Sequence, residues 1–408
     1  MSREKTPAEI SDYLMSSSAI RERCEQVFSK VERGQGRLFR LDLSSLEDLS
    51  DYVISHMKES YPKLEIPYHS RWRHIETGGK DRGRLFCEGA KDEMEVGRRR
   101  YDLVIVSILL DAGAGPSWSY KEDGVFYSRS EGLAVASAAM SQKGLFSGDE
   151  KMPFKTLASG LESLTQEDLE KGMQVSSQNP LVGVSGRYGL LQKLGGVLRE
   201  NKAVFGQEGR LGCFFDHLVK KADAGSKLEA KTVLKEVLRV FHGIWPGREI
   251  FHGQNLGDTW KYPGIIGMAK EDHYVPFHKL SQWLSYSLFE PLEEYGIEVL
   301  DLDGLTGLPE YRNGGLFIDG GVLEPLSPEL LAREYKASDP EIVEWRALTV
   351  CLLDRLAKIV RGKLEVAADW PLAKILEGGT WAAGRKIARE KRGDGSPPLN
   401  IVSDGTVF

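Results

Sequence analysis

The chain has 408 residues, 41% of them hydrophobic and 28% charged, a balance that supports a sizeable buried core. A formal net charge of −6 argues against a general nucleic-acid binder, because a phosphate-binding face needs an excess of Lys and Arg. Cys24, Cys87, Cys213 and Cys351 stand far apart without a CxxC or Cys/His cluster, which argues against a zinc ribbon or disulfide framework and fits a reducing compartment.

In chain order, Thr6-Pro7 reads as a helix cap and first helical residue ahead of "AEISDYLMSSSAIRERCEQVFSKVERG", with Gly34 as the stop. Ser44 stands three residues before Glu47, the spacing of a capping box that would open "SLEDLSDYVISHMKES", and Pro62 and Pro67 end that pattern. Helical periodicity continues through "EVGRRRYDLVIVSILLDAG", "SEGLAVASAAMSQKG", "RYGLLQKLGGVLREN", "AKTVLKEVLRVFHG" and "FHKLSQWLSYSLFEPLEEYG". Asp339-Pro340 opens a long amphipathic helix, "PEIVEWRALTVCLLDRLAKIVRGKL". Strand patterns are few and short: "GRLFRLDL", "GVFYSR" and "GLFIDGGVLEP".

The expectation is a mainly α protein forming a single mostly helical unit over 1–408, with an N-terminal helical layer over 1–100, a catalytic region over 101–330 and C-terminal helices and a tail over 331–408. No apolar run approaches the roughly 20 residues of a membrane span, and "MSREKTPAEI" lacks the apolar core of a signal peptide. A cytoplasmic protein with no membrane or nucleic-acid partner is expected; its oligomeric state is not legible.

Polar residues concentrate in a few places. "LTGLPEYRNGGLFIDGGVLEPLS" sets Glu310, Arg312 and Asp319 among two glycine pairs, and reads either as a hairpin with exposed charges or as a binding loop. Lys279, Gln282 and Tyr286 share a helix face. Asp111 ends an apolar helix before a turn carrying Trp118 and Tyr120, as a cap with core aromatics or as a pocket wall. "PYHSRWRHIETGGKDRGR" holds Arg71, Arg73, His74 and Glu76, and "FHGQNLGDTW" holds His252, Gln254, Asn255 and Asp258. His252, His273 and His278 make no recognised metal spacing, and no Walker, GxGxxG or GxSxG pattern occurs, so neither a metal nor an organic cofactor is expected.

Over nearly its full length the chain resembles the microbial uracil-catabolism family associated with ring-opening uracil degradation, through "LLDAGAGPSWSY", "NPLVGVSGRYGLL", "FHGQNLGDTW", "VPFHKLSQWLSYSL" and "LTGLPEYRNGGLFIDGGVL". Across residues 107–319 it also resembles, more distantly, the queuosine-salvage N-glycosidases, helical proteins related to the helix-hairpin-helix DNA glycosylases. Lys279 and Gln282 followed by "LTGLPEYR" look like that family's K-x-x-Q helix and L-T-x-x-x-D-Y-R segment, with Glu310 replacing its aspartate and "NGG" replacing its valine-proline-glutamine.

These resemblances imply a DNA-glycosylase-like helical architecture with a few short strands, and cleavage of ribosylurea or its 5′-phosphate to urea and ribose or ribose phosphate. In that chemistry a carboxylate near the anomeric carbon is required, so Glu310 is the first expectation, Lys279 its electrostatic partner, and Asp303 and Asp319 the reserve acids. Arg312, Asn313, Gln282, Asp111, Trp118, Tyr120, His252 and Asn255 are expected to contact substrate. The rival expectations are an amidohydrolase attacking the ureido carbon and a non-catalytic protein that binds a uracil metabolite.

Overall fold

The computed structural model describes residues 6–149, 151–245, 249–263, 265 and 273–402. Among these residues helices dominate, and the strands, none longer than four residues, pair two by two. The chain gathers into two units, each drawn from separated stretches: residues up to His69, those leading to Gln282 and Asp301–Val402 in the first, and those from Ser70 together with Trp283–Leu300 in the second. The crossings at His69/Ser70, Gln282/Trp283 and Leu300/Asp301 fall in no linker-like sequence.

The first unit is organised on helix Ser17–Glu32 packed against helix Pro340–Leu364. Ile20, Cys24, Val27, Phe28 and Val31 recur at helical spacing and are buried, whereas the longer helix buries side chains almost all round between Ile342 and Leu353. Burying a side chain such as Phe28 contributes about 2–3 kcal/mol, so this seam alone outweighs several caps. Thr6 caps helix Pro7–Leu14 in a capping box with Glu9, as its sequence suggests. Ser44 makes no such cap on helix Ser45–Ser60: its hydroxyl donates to Asp42, two residues away, where the shorter loop closes the turn instead.

Helix Tyr311–Asp319 occupies much of the stretch whose glycines suggest a turn. A Cβ on Gly314 would lie 2.6 Å from the Trp345 ring, and one on Gly384, in helix Trp381–Lys391, 2.4 Å from the Arg312 carbonyl oxygen. These glycines therefore serve close helix packing. Gly321, at φ +77, is the one of the group that makes the turn, and it leads into strand Leu323–Pro325, antiparallel to Phe39–Leu41.

The second unit packs helices Glu93–Leu109, Arg129–Gln142, Val184–Glu200 and Ala230–Phe241. Arg210 donates from Nε to Asp102 and from both terminal nitrogens to Glu95, while Asp102 also accepts from the Gly212 amide. This buried cluster offsets its desolvation by satisfying nearly every donor of the arginine. Ser119–Glu122 and Val125–Ser128 form the expected short hairpin ahead of helix Arg129–Gln142.

Candidate active site

Two helix N-termini of the first unit carry the residues of interest. Pro309 disfavours helical backbone at Leu308, so the helix starts only after Glu310, whose extended backbone (φ −114, ψ 169) turns its side chain back over the first turn. Its Oε2 accepts from the Arg312 amide at 2.7 Å and its Oε1 from the Asn313 amide at 2.6 Å. A carboxylate at this place caps the helix and meets the positive end of its dipole. Each oxygen keeps a further lone pair for another donor.

Glu310 is held between opposing influences. Burial raises its pKa above the ordinary carboxylate value, while the two amide hydrogen bonds, the Lys279 charge and the Arg312 charge pull it down. The net direction is upward. The site thus holds a carboxyl group whose orientation is fixed by backbone and whose proton affinity burial raises against the pull of two amides and the Lys279 and Arg312 charges.

Lys279 opens helix Lys279–Glu294, and its amide donates to Asp258 Oδ2 at 2.9 Å. Asp258 also receives Arg346 through two hydrogen bonds of 2.8 Å and the indole N–H of Trp260 at 2.7 Å. Arg346, 1% exposed, lies over the Phe277 ring at 4.1 Å and reaches the Pro309 carbonyl with its Nε at 3.3 Å. One arginine therefore ties the cap of the Lys279 helix to the residue before Glu310. Asp258 stands in the conspicuous "GDTW" of the sequence; Arg346 is the partner that sequence reading missed, its only signal being a charged residue on an otherwise buried stretch of helix.

Gln282 and Asn313 act on backbone. Gln282 Nε2 donates to the Phe277 carbonyl at 3.0 Å and the Thr306 hydroxyl at 2.7 Å, and its Oε1 accepts from the Thr306 amide at 2.8 Å. Asn313 Nδ2 donates to the Leu308 carbonyl at 3.0 Å, and its Oδ1 accepts from Thr380 at 2.8 Å. Both brace the 305–310 segment from opposite ends. Arg312 donates to the Gly395 carbonyl at 2.8 Å, with its guanidinium over the Tyr311 ring.

The other expected residues lie elsewhere. Asp303 pairs with Arg361 and accepts from the Leu372 amide at 2.8 Å. Asp319 is gripped through both oxygens by Arg392 at the far end of the nine-residue helix, about 12 Å along its axis from the first residue. His252 sits at positive φ (+47) in the turn of a two-residue-strand hairpin, edge-on to Phe251, and Asn255 Oδ1 accepts from the Gly257 amide. His278 is buried, faces the Leu14 carbonyl at 2.8 Å, and is pushed toward its neutral form by that burial.

Asp111, Trp118 and Tyr120 belong to the second unit. Trp118 is buried, donates to the Met173 carbonyl at 3.0 Å and is packed so closely on Gly132 that a Cβ there would meet its ring at 2.9 Å. Tyr120 is also buried, which raises its pKa. Asp111 pairs with Arg71 at 3.1 Å. Among the described residues no group of three or more His, Cys, Asp or Glu is arranged to hold a metal ion, and no helix is long and apolar enough to cross a membrane.

Comparison with known proteins adds a family. The family described as "Protein of unknown function (DUF1688)" matches residues 13–408. "Uracil catabolism protein 4" of Lachancea kluyveri is 42% identical over 97% of this chain and 98% of its own length. "Protein urg3" of Schizosaccharomyces pombe is 40% identical over the same shares.

Proposed function

The chain belongs to the DUF1688 family, and from that premise we propose that it acts in uracil catabolism as an N-glycoside hydrolase, splitting ribosylurea or its 5′-phosphate into urea and the sugar. The observation that carries the reading is Glu310: a carboxyl group aimed by two backbone amides, with raised proton affinity, beside the charge of Lys279. Cleavage of a ribosyl C–N bond builds positive charge on the sugar, which a fixed carboxylate offsets.

In this reading the C1–N bond breaks and its electron pair leaves with the ureido nitrogen, which takes a proton from Lys279. Water bonds to C1 and gives a proton to Glu310, so the overall change is addition of one water. Asp258, Arg346, Gln282 and Asn313 act as positioning residues that keep the two helix starts in register.

The test is to incubate chelator-treated protein and its Glu310→Gln variant with ribosylurea and its 5′-phosphate, measuring urea and reducing sugar together. Equal release of both by the native protein, falling about 10²–10⁴-fold in the variant, is the expected result. Ammonia without urea would assign an amidohydrolase instead, and no product from either form would leave a binding protein.

A further inference from the structure

The second unit contains a charged pair that is unusual for its incompleteness. The Arg71 side chain is fully buried; its Nε donates to the Ser107 hydroxyl at 2.8 Å and its Nη1 to the Ser130 carbonyl at 3.2 Å. Ser107 is fixed in turn by Ser137 at 2.7 Å, so helices Glu93–Leu109 and Arg129–Gln142 both hold the guanidinium. Its Cζ lies over the Trp283 ring, 5.6 Å from the centroid. Nη1 meets Asp111 Oδ2 at 3.1 Å, with the Asp111 side chain 9% exposed.

Two atoms of this pair, Arg71 Nη2 and Asp111 Oδ1, are buried with no hydrogen-bond partner among the described residues. Leaving a buried donor or acceptor unmatched costs about 1–3 kcal/mol, and more when the group is charged. Arg71 is thus anchored at three points while the two N–H donors of its Nη2 and one carboxylate oxygen of Asp111 are unmatched among the described residues. The Asp111 side chain is 9% exposed, so the pair lies just beneath the surface, although both unmatched atoms are themselves closed off from solvent.

We propose that Arg71 and Asp111 bind the amide edge of a small neutral ligand, an adjacent C=O and N–H as found in a ureide or a pyrimidinedione. The carbonyl accepts from Arg71 Nη2 and the N–H donates to Asp111 Oδ1, which satisfies both atoms without adding net charge. The Trp283 ring behind the guanidinium holds its plane. The choice of a ureide or pyrimidinedione rests on the proposed role in uracil catabolism but not on hydrolysis at Glu310, and binding is measured in a Glu310→Gln background so that turnover and recognition are read separately.

The probes are uracil, ribosylurea and 1,3-dimethyluracil, the last keeping both carbonyls but no N–H, titrated by calorimetry. The expected result is binding of uracil or ribosylurea, with dimethyluracil at least tenfold weaker than uracil, since loss of a matched N–H leaves the carboxylate oxygen unpaired. The near-isosteric Asp111→Asn should weaken the N–H-bearing ligands tenfold or more and abolish their advantage over dimethyluracil, with the melting temperature showing that the variant is folded. Equal binding of uracil and its dimethyl form, unchanged affinity in a folded Asp111→Asn, or no binding of any probe would each overturn the proposal, the last meaning that the pair holds a water only. If Asp111→Asn fails to fold, the comparison of uracil with dimethyluracil on the unsubstituted pair decides alone.

Discussion

At the scale of single residues, Glu310 has two duties that different variants separate. Glu310→Ala removes the helix cap and should cost about 1 kcal/mol of stability, measurable as a shift in denaturant midpoint. Glu310→Gln keeps one acceptor oxygen for the cap and should lose turnover out of proportion to stability. Because burial raises the Glu310 pKa, the acid limb of kcat/KM should lie above the ordinary glutamate value of about 4.3. Lys279 pulls that pKa down, so Lys279→Met should move the limb to higher pH; a limb that stays in place would separate Lys279 from the titration. The linked stability has the corresponding sign: with the folded pKa above the unfolded one, the folded state binds this proton more tightly, so the Glu310 contribution falls as pH rises from about 4.3 through the folded pKa. Glu310 and Lys279 stand out in the sequence as polar residues beside Pro309 and at the start of an apolar helix, and the structure puts both at helix starts. Arg346 does not stand out, since nothing in one dimension distinguishes an arginine that reaches across to Asp258 from one that faces water.

At the scale of elements, the helices could be read from period and punctuation, while the glycine pairs were ambiguous. Gly314 sits inside a helix because the Trp345 ring occupies the space of a Cβ, a fact about the neighbouring helix and not about the local sequence. Gly384 makes the same point sharply: Gly384→Ala would drive a Cβ against the Arg312 carbonyl, one residue beyond the Tyr311 that begins the capped helix. The expected cost is about 1–3 kcal/mol from overpacking, with a fall in any Glu310-dependent activity as the cap shifts. Arg346→Met should cost more, about 3–5 kcal/mol, by leaving the Asp258 carboxylate without its bidentate partner. Chemical denaturation of the two variants gives the comparison, and an Arg346→Met as stable as the native protein would show that Asp258 needs no buried cation.

At the scale of the whole molecule, the organisation is discontinuous in sequence, and that has an experimental consequence. A fragment spanning residues 70–246 lacks Trp283–Leu300, which supplies strand Glu298–Leu300 to Lys227–Glu229 and the Ser287 carbonyl that accepts from Trp72. Such a fragment should show no cooperative thermal transition by circular dichroism, and joining 283–300 to it should restore one; a sharp transition without that segment would mean the pieces fold independently. Length, charge and apolar periodicity by themselves determined that this is a mainly α protein with a large core and few strands, because helix formation and amphipathic burial are set within ten or twenty residues. Which residues share a unit, why its glycines stand inside helices, and how Arg346 links Asp258 to Pro309 were decided only by tertiary structure, because those outcomes depend on hydrogen bonds and close packing between segments separated by tens to hundreds of residues.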